Sequence, residues 1–177
     1  TGTGKTLTLQ GLVEGFSQAG VPVFIADVKG DLSGLAAAGI DKPPLVERAK
    51  QIDFPLTYQP CPVIFWDVFG KNGHPVRTTI SEMGPIMLSN LLELNETQEG
   101  VLNIAFAVAD NEGLLLLDLD DLRSMLSHLS ENAGQYSTQY GNISAASVGA
   151  IMRGLLTLEA QGGKQLFGEP ALSIADL

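Results

Sequence analysis

The decapeptide at residues 1–10, TGTGKTLTLQ, limits what this chain can fold into more than any other stretch. Gly4-Lys5-Thr6 fits the last three positions of the phosphate-loop pattern G-x-x-x-x-G-K-[ST], whose first glycine would fall two positions before Thr1. Gly2 and Gly4 can take positive φ and turn backbone N–H groups inward on an anion with no Cβ in the way. Lys5 offers a point positive charge to the β- and γ-phosphates of ATP and Thr6 a hydroxyl to Mg²⁺. The helix that follows aims its positive end at the same place. The competing reading is a Gly/Thr-rich terminus in which G-K-T recurs by chance. An amphipathic helix and then an apolar run follow at once, which is the context a phosphate loop demands.

Leu7, Leu9, Leu12, Val13 and Phe16 recur at helical spacing over residues 5–19, and Gly20 suits a left-handed C-terminal cap. VPVFIADVKGD, residues 21–31, reads as a buried parallel strand with Asp27, Lys29 and Asp31 at its ligand-facing end. A small helix is expected over residues 31–38 and a surface helix over 41–52, opened by Pro43-Pro44. CPVIFWDVFG, residues 61–70, is a second strand candidate with Asp67 near its end. Asn72-Gly73 predicts a tight turn, with residues 76–80 returning antiparallel and His74 in the turn.

Beyond Ser81 the pattern is helical. Segments 83–94 (Pro85 in the first turn), 95–111 (opened by a capping box, Asn95-x-x-Gln98), 114–129 and 143–158 are expected as helices, with a loop over 136–142. No internal repeat stands out. The expected fold class is α/β: part of a P-loop NTPase parallel sheet (residues 1–80) carrying an inserted helical subdomain (residues 81–177).

The 177 residues, 45% hydrophobic and 17% charged, suit one globular domain or a piece of a larger one. The absent initiator Met and the interrupted motif predict an internal piece of a longer protein. A net charge of −10 with no basic run excludes a broad basic nucleic-acid surface. A single cysteine, Cys61, excludes an internal disulfide framework, and the separated His74 and His128 offer no metal cluster. No apolar stretch reaches the ~20 residues that span a bilayer. A reducing, cytoplasmic setting is expected.

Several residues admit two roles. GLLLLDLDDL, residues 113–122, resembles a strand ending in a Mg²⁺-binding acid. However, Leu119, Leu122, Met125, Leu126 and Leu129 continue as a helix, making Asp118 an N-cap and placing Asp120 and Asp121 in the first turn. Asp27 is the better candidate for a catalytic-side acid, positioning water or a neighbouring loop; the alternative is a solvated strand end. Asp67 is placed similarly. Arg77 or Arg153 could act as an arginine finger in a ring, or simply as a surface ion-pair partner. Ala146, Ala150 and Gly154 form a small-residue stripe that would let another helix approach.

These blocks resemble the bacterial HerA-like ATPases of the HerA/FtsK P-loop superfamily. The similarity runs through TGTGKTLTLQ, ADVKGDLSGLA, FWDVFGKNGHPVRTTISEMGP, LNETQEGVLNIAF, LLLLDLDDLRSML and YGNISAASVGAIMRGLLTLE, in the family's order. The first block is generic to P-loop proteins and the later ones are more specific. The resemblance implies an ATPase of the additional-strand class, RecA-like in its core and typically a hexameric ring, with ATP and Mg²⁺ as cofactors and DNA as a partner for translocation or helicase action. It implies Gly2, Thr3, Gly4, Lys5, Thr6 and Leu7 as nucleotide ligands, with Thr6 on Mg²⁺ and Lys5 catalytic. It places the Walker B acids, the arginine finger and the strand before the phosphate loop outside this chain. The 177-residue piece alone is therefore expected to be inactive. A nucleotide-dependent switch or phosphotransferase acting on something other than DNA is the alternative, and the acidic balance is no obstacle to it.

Overall fold

The structure, a computed structural model, describes residues 4–173 and Ala175. It divides into two compact units, residues 1–64 and 65–177.

In the first unit, helix α1 (Lys5–Gln18) starts behind Gly4, whose φ of 75° is left-handed. It ends as the sequence predicts. Gly20 (φ 74°) donates its N–H to Ser17 and Val21 donates to Phe16, which pairs the helix's last carbonyls through a left-handed glycine. No residue of α1 is buried. Residues 21–27 form no ladder, contrary to the strand expectation. The apolar run is there, but a strand is made by its neighbours, and Phe24 is 71% exposed. A short 3₁₀ turn (Ser33–Ala36) follows, and the Cys61 N–H reaches back to the Leu35 carbonyl at 2.9 Å. Helix α2 (Pro43–Gln51) carries its two prolines where N–H groups would be unpaired anyway. Leu35 and Ala49 are the buried apolar residues of this unit.

The second unit opens with strands β1 (Trp66–Asp67) and β2 (His74–Pro75), which pair parallel, with Trp66 opposite His74. The expected second strand is thus paired only at these two residues. His74 lies in β2 with its ring tilted against Trp66, not in a turn. The predicted antiparallel return is also replaced. Thr78 bridges Phe167, donating its N–H to Leu166 and accepting from Gly168. Gly73 is required where β2 begins: a Cβ there would lie 2.5 Å from the Phe65 carbonyl oxygen, which accepts the His74 N–H.

Helices dominate from there. Helix α3 (Ile80–Leu91) is opened by a reciprocal capping box between Thr79 and Glu82. It kinks at Gly84 (φ 72°), the residue before Pro85, where proline disfavours helical backbone. Helix α4 (Glu96–Glu112) has the predicted Asn95/Gln98 box and ends at the left-handed Gly113. Helix α5 (Leu119–Glu131) starts later than the periodicity predicted. The Asp118 carboxylate takes the N–H groups of Asp120 and Asp121, while residues 116 and 117 are held by Ser81, Ile80 and Asp121.

Helix α6 (Ala133–Tyr140) replaces a predicted loop. Its two flanking glycines suggested a break, but Tyr136 anchors it. The ring is buried and the hydroxyl donates to Glu112 Oε1 at 2.9 Å and meets His128 Nε2 at 3.0 Å. Ser144 caps α7 (Ala145–Ala160), and the short α8 (Gly163–Leu166) follows.

Helix α4 packs against α3, α5 and α7, and α5 packs against α7. Leu88, Leu102, Leu122, Leu126, Leu129, Ile151 and Leu155 are fully buried between them. Of the small-residue stripe, Gly154 does receive a neighbour, with Leu92 Cδ2 3.4 Å from where a Cβ would stand, whereas Ala146 is exposed. The described chain is therefore mostly helical with one small parallel sheet, which an α/β description accommodates.

Asp118 acts as a helix cap. Asp118→Ala should lower the stability of the helical unit by about 1–2 kcal/mol in denaturant unfolding and leave nucleotide turnover of the intact protein unchanged.

Candidate functional site

The expected phosphate loop falls at the head of α1, of which Gly4 and the residues after it are described. Gly4 is left-handed, and the next residues enter the helix at once. The Thr8 N–H donates to the Gly4 carbonyl at 2.9 Å, the first helical hydrogen bond among the described residues. Among the described residues no side chain caps this helix, and the amides of Lys5, Thr6 and Leu7 lie in its first turn at its positive end. Lys5, Thr6 and Leu7 are all exposed. The two threonines differ. Thr8 Oγ1 is spent on the Gly4 carbonyl at 3.1 Å, whereas the Thr6 hydroxyl has no partner among the described residues. Gly2 and Thr3 lie outside the described residues.

Asp27 is placed by chemistry the sequence reading left open. Its carboxylate accepts the N–H groups of Lys29 (3.1 Å) and Gly30 (2.9 Å) on one oxygen and of Leu32 (2.9 Å) on the other. These bonds, Leu32's foremost, hold its pKa below the usual aspartate value. A carboxylate so engaged is a weak proton acceptor and a strong loop anchor. Asp67 does the same thing. It accepts from Phe69 (3.0 Å), Lys71 (2.8 Å) and Asn72 (2.9 Å), with its pKa lowered by these amides and chiefly by Asn72. Both loops carry one local sequence, Asp27-Val28-Lys29-Gly30 and Asp67-Val68-Phe69-Gly70. Gly30 (φ 76°) and Gly70 (φ 61°) supply the left-handed residue in each. Sequence reasoning did not find this duplicated Asp-Val-x-Gly device; the signal that marks it is an acid three residues before a glycine at the end of an apolar run.

Gln10 joins the first of these loops to α1, donating from Nε2 to the Asp31 carbonyl at 3.1 Å. Arg77 donates from Nη1 to the Glu169 carbonyl at 2.8 Å, which ties down the segment after α8. Arg153 is exposed and has no ion pair among the described residues. The ion pairs that do form join α5, α7 and α8. Arg123 meets Asp120 and Glu159, and Glu159 also meets Lys164, which lowers the carboxyl's pKa and raises that of the lysine.

No group of three or more His, Cys, Asp or Glu side chains among the described residues could hold a metal by itself. A magnesium ion that arrives with a nucleotide needs less. It keeps waters and phosphate oxygens around it and takes one or two protein oxygens, a demand the unengaged Thr6 hydroxyl fits.

A family model described as helicase HerA-like C-terminal matches residues 1–177, the whole chain. The chain belongs to this family. No curated protein and no solved structure matches it. Membership in the HerA-like family points to a motor-type ATPase domain. No single helix among the described residues is long and apolar enough to cross a membrane.

The loop anchors set a pH response. Because both carboxyl pKa values are lowered on folding, the anchors hold above the unfolded aspartate value of about 3.9 and are lost as pH falls through the folded values. Amide exchange should show protection at Leu32, Lys71 and Asn72 that is kept as pH falls to the ordinary aspartate value and is lost only below it, as the lowered folded values are crossed. Protection already lost above the ordinary aspartate value would show that the carboxylates do not hold the loops.

Proposed function

We propose that the protein is an ATP-binding and ATP-hydrolysing motor of the HerA/FtsK type that moves DNA through a ring of identical subunits. The observation that carries this reading is Gly4-Lys5-Thr6 at the uncapped head of α1, with Gly4 left-handed, in a chain that matches the family over its whole length. The amides of residues 2–7 cradle the phosphates, Lys5 neutralises charge on the β- and γ-phosphates, and Thr6 adds its hydroxyl to the coordination of Mg²⁺. Bound Mg²⁺ supplies charge compensation at the phosphoryl group being transferred. Asp27 serves the site by fixing the loop that follows it. Residues 1–80 are the part of the ATPase core present here and residues 81–177 its helical insertion. The intact protein works in the cytoplasm.

A net charge of −10 favours a second reading, a nucleotide-dependent switch or phosphotransferase that does not touch DNA. Double-stranded DNA separates the two. Under the motor reading it stimulates ATP turnover by the intact protein, whereas a switch is indifferent to it. Lys5→Ala should abolish turnover in either case, and activity close to the unsubstituted rate would remove the loop from the mechanism.

The ring is tested separately. Light scattering with Mg·ATP and DNA at micromolar concentration should report a closed oligomer of about six subunits. A monomer under those conditions would end the translocase reading. An acidic body suits a narrow, locally lined path for DNA better than a broad basic face.

A further inference from the structure

We infer that Lys29 is a second phosphate-directed cation of the site at Lys5, specific for the terminal phosphate of a nucleoside triphosphate, and that Asp27 is its positioning residue. The inference rests on the nucleotide reading of Gly4-Lys5-Thr6. Its starting point is the path of the chain. Helix α1 has 14 residues, a rise of about 21 Å. After the Gly20 turn, residues 21–27 can span about 23 Å when extended, enough to bring Asp27 back level with the head of the helix.

One contact shows that the chain does return. Gln10 Nε2 donates to the Asp31 carbonyl at 3.1 Å. Gln10 stands five residues, or about 7.5 Å of helix rise, beyond Lys5, and Lys29 precedes Asp31 by two residues. The Asp27 loop therefore meets the first two turns of α1, and on this proposal the Lys29 side chain extends from that contact toward the amides that would hold phosphate.

Charge singles out Lys29 on this loop. The sequence from Thr1 to Asp41 contains two basic residues, Lys5 and Lys29. Lys29 is exposed, and its ammonium has no ion pair among the described residues. Its own backbone N–H is bound by the Asp27 carboxylate, as are those of Gly30 and Leu32, so the backbone that carries the side chain is held at three points. A lysine on a pinned backbone loses less entropy when it engages an anion than one on a free loop. With the α- and β-phosphates taken by backbone amides and Lys5 shared between β and γ, the oxygens left for another cation are those of the γ-phosphate. ADP lacks them.

The experiment is calorimetric titration of the intact protein with a non-hydrolysable ATP analogue and, separately, with ADP, in the presence of Mg²⁺. Lys29→Gln should weaken the triphosphate analogue by roughly 10-fold or more, the worth of one charge-assisted contact, and change ADP affinity by less than about 3-fold. Lys29→Arg should keep most of the selectivity. Asp27→Asn should show the same triphosphate-selective loss while the protein keeps its fold by circular dichroism. The double variant should be no weaker than Lys29→Gln alone, since both act through one contact. Lys5→Ala is the control for the site and should weaken both nucleotides severely. If it does not, the nucleotide reading itself fails. If Lys5→Ala behaves as expected but Lys29→Gln weakens both nucleotides equally or neither, the role given to Lys29 is wrong and the reading of the loop stands.

Discussion

Backbone N–H groups that have no helical or sheet partner must find one elsewhere, and the way this chain meets that demand organises both of its units. Thr79, Asn95, Asp118 and Ser144 each turn a side-chain oxygen onto the first amides of the helix behind them. Asp27 and Asp67 do the same for loops, each gathering three amides on one carboxylate. Helix α2 avoids the problem by starting with two prolines. Against this background α1 stands apart. It is 14 residues long, begins at a left-handed glycine and has no side-chain cap among the described residues. Every other helix of comparable length spends a short polar residue at this position.

Local signals of that kind were legible in the sequence because they are complete within four or five residues. The Asn95/Gln98 box, the Asp118 cap and the left-handed Gly20 each contain both partners of the interaction they make. The Thr79/Glu82 box is as local, yet the expected helix over residues 83–94 starts three residues too late to include it. Signals that need a distant partner were not. Residues 21–27 and 61–65 have strand composition, but composition does not supply a neighbouring strand, and Phe24, Val63 and Ile64 remain exposed without one. Helix α6 was misread for the opposite reason. Gly134 and Gly141 argued for a loop, and the burial of Tyr136 between Glu112 and His128, from two other helices, overrides them.

The candidate site divides along the same line. Gly4, Lys5 and Thr6 could be singled out because the phosphate-loop pattern is contiguous, and the backbone at Gly4 is left-handed. The role of Asp27 was not. An acid at the end of an apolar run is equally suited to activate water and to hold a loop. The choice depends on where the following amides point, which is set by the left-handed Gly30 three residues on. Once those amides converge, the carboxylate is stabilised in its charged form and loses the basicity that proton abstraction requires.

The acidic composition gains a meaning from the same geometry. With a net charge of −10, a polyanion such as DNA or a nucleotide is repelled by the protein as a whole and must be received at points where positive potential is concentrated. A helix N-terminus beside a lysine is such a point, because fixed dipoles and a full charge add there. An aspartate that binds three N–H groups presents less of its charge to an approaching phosphate than a solvated one does. The Asp27 anchor thus has two consequences: it fixes the loop, and it leaves less of the acid's charge to oppose an approaching anion.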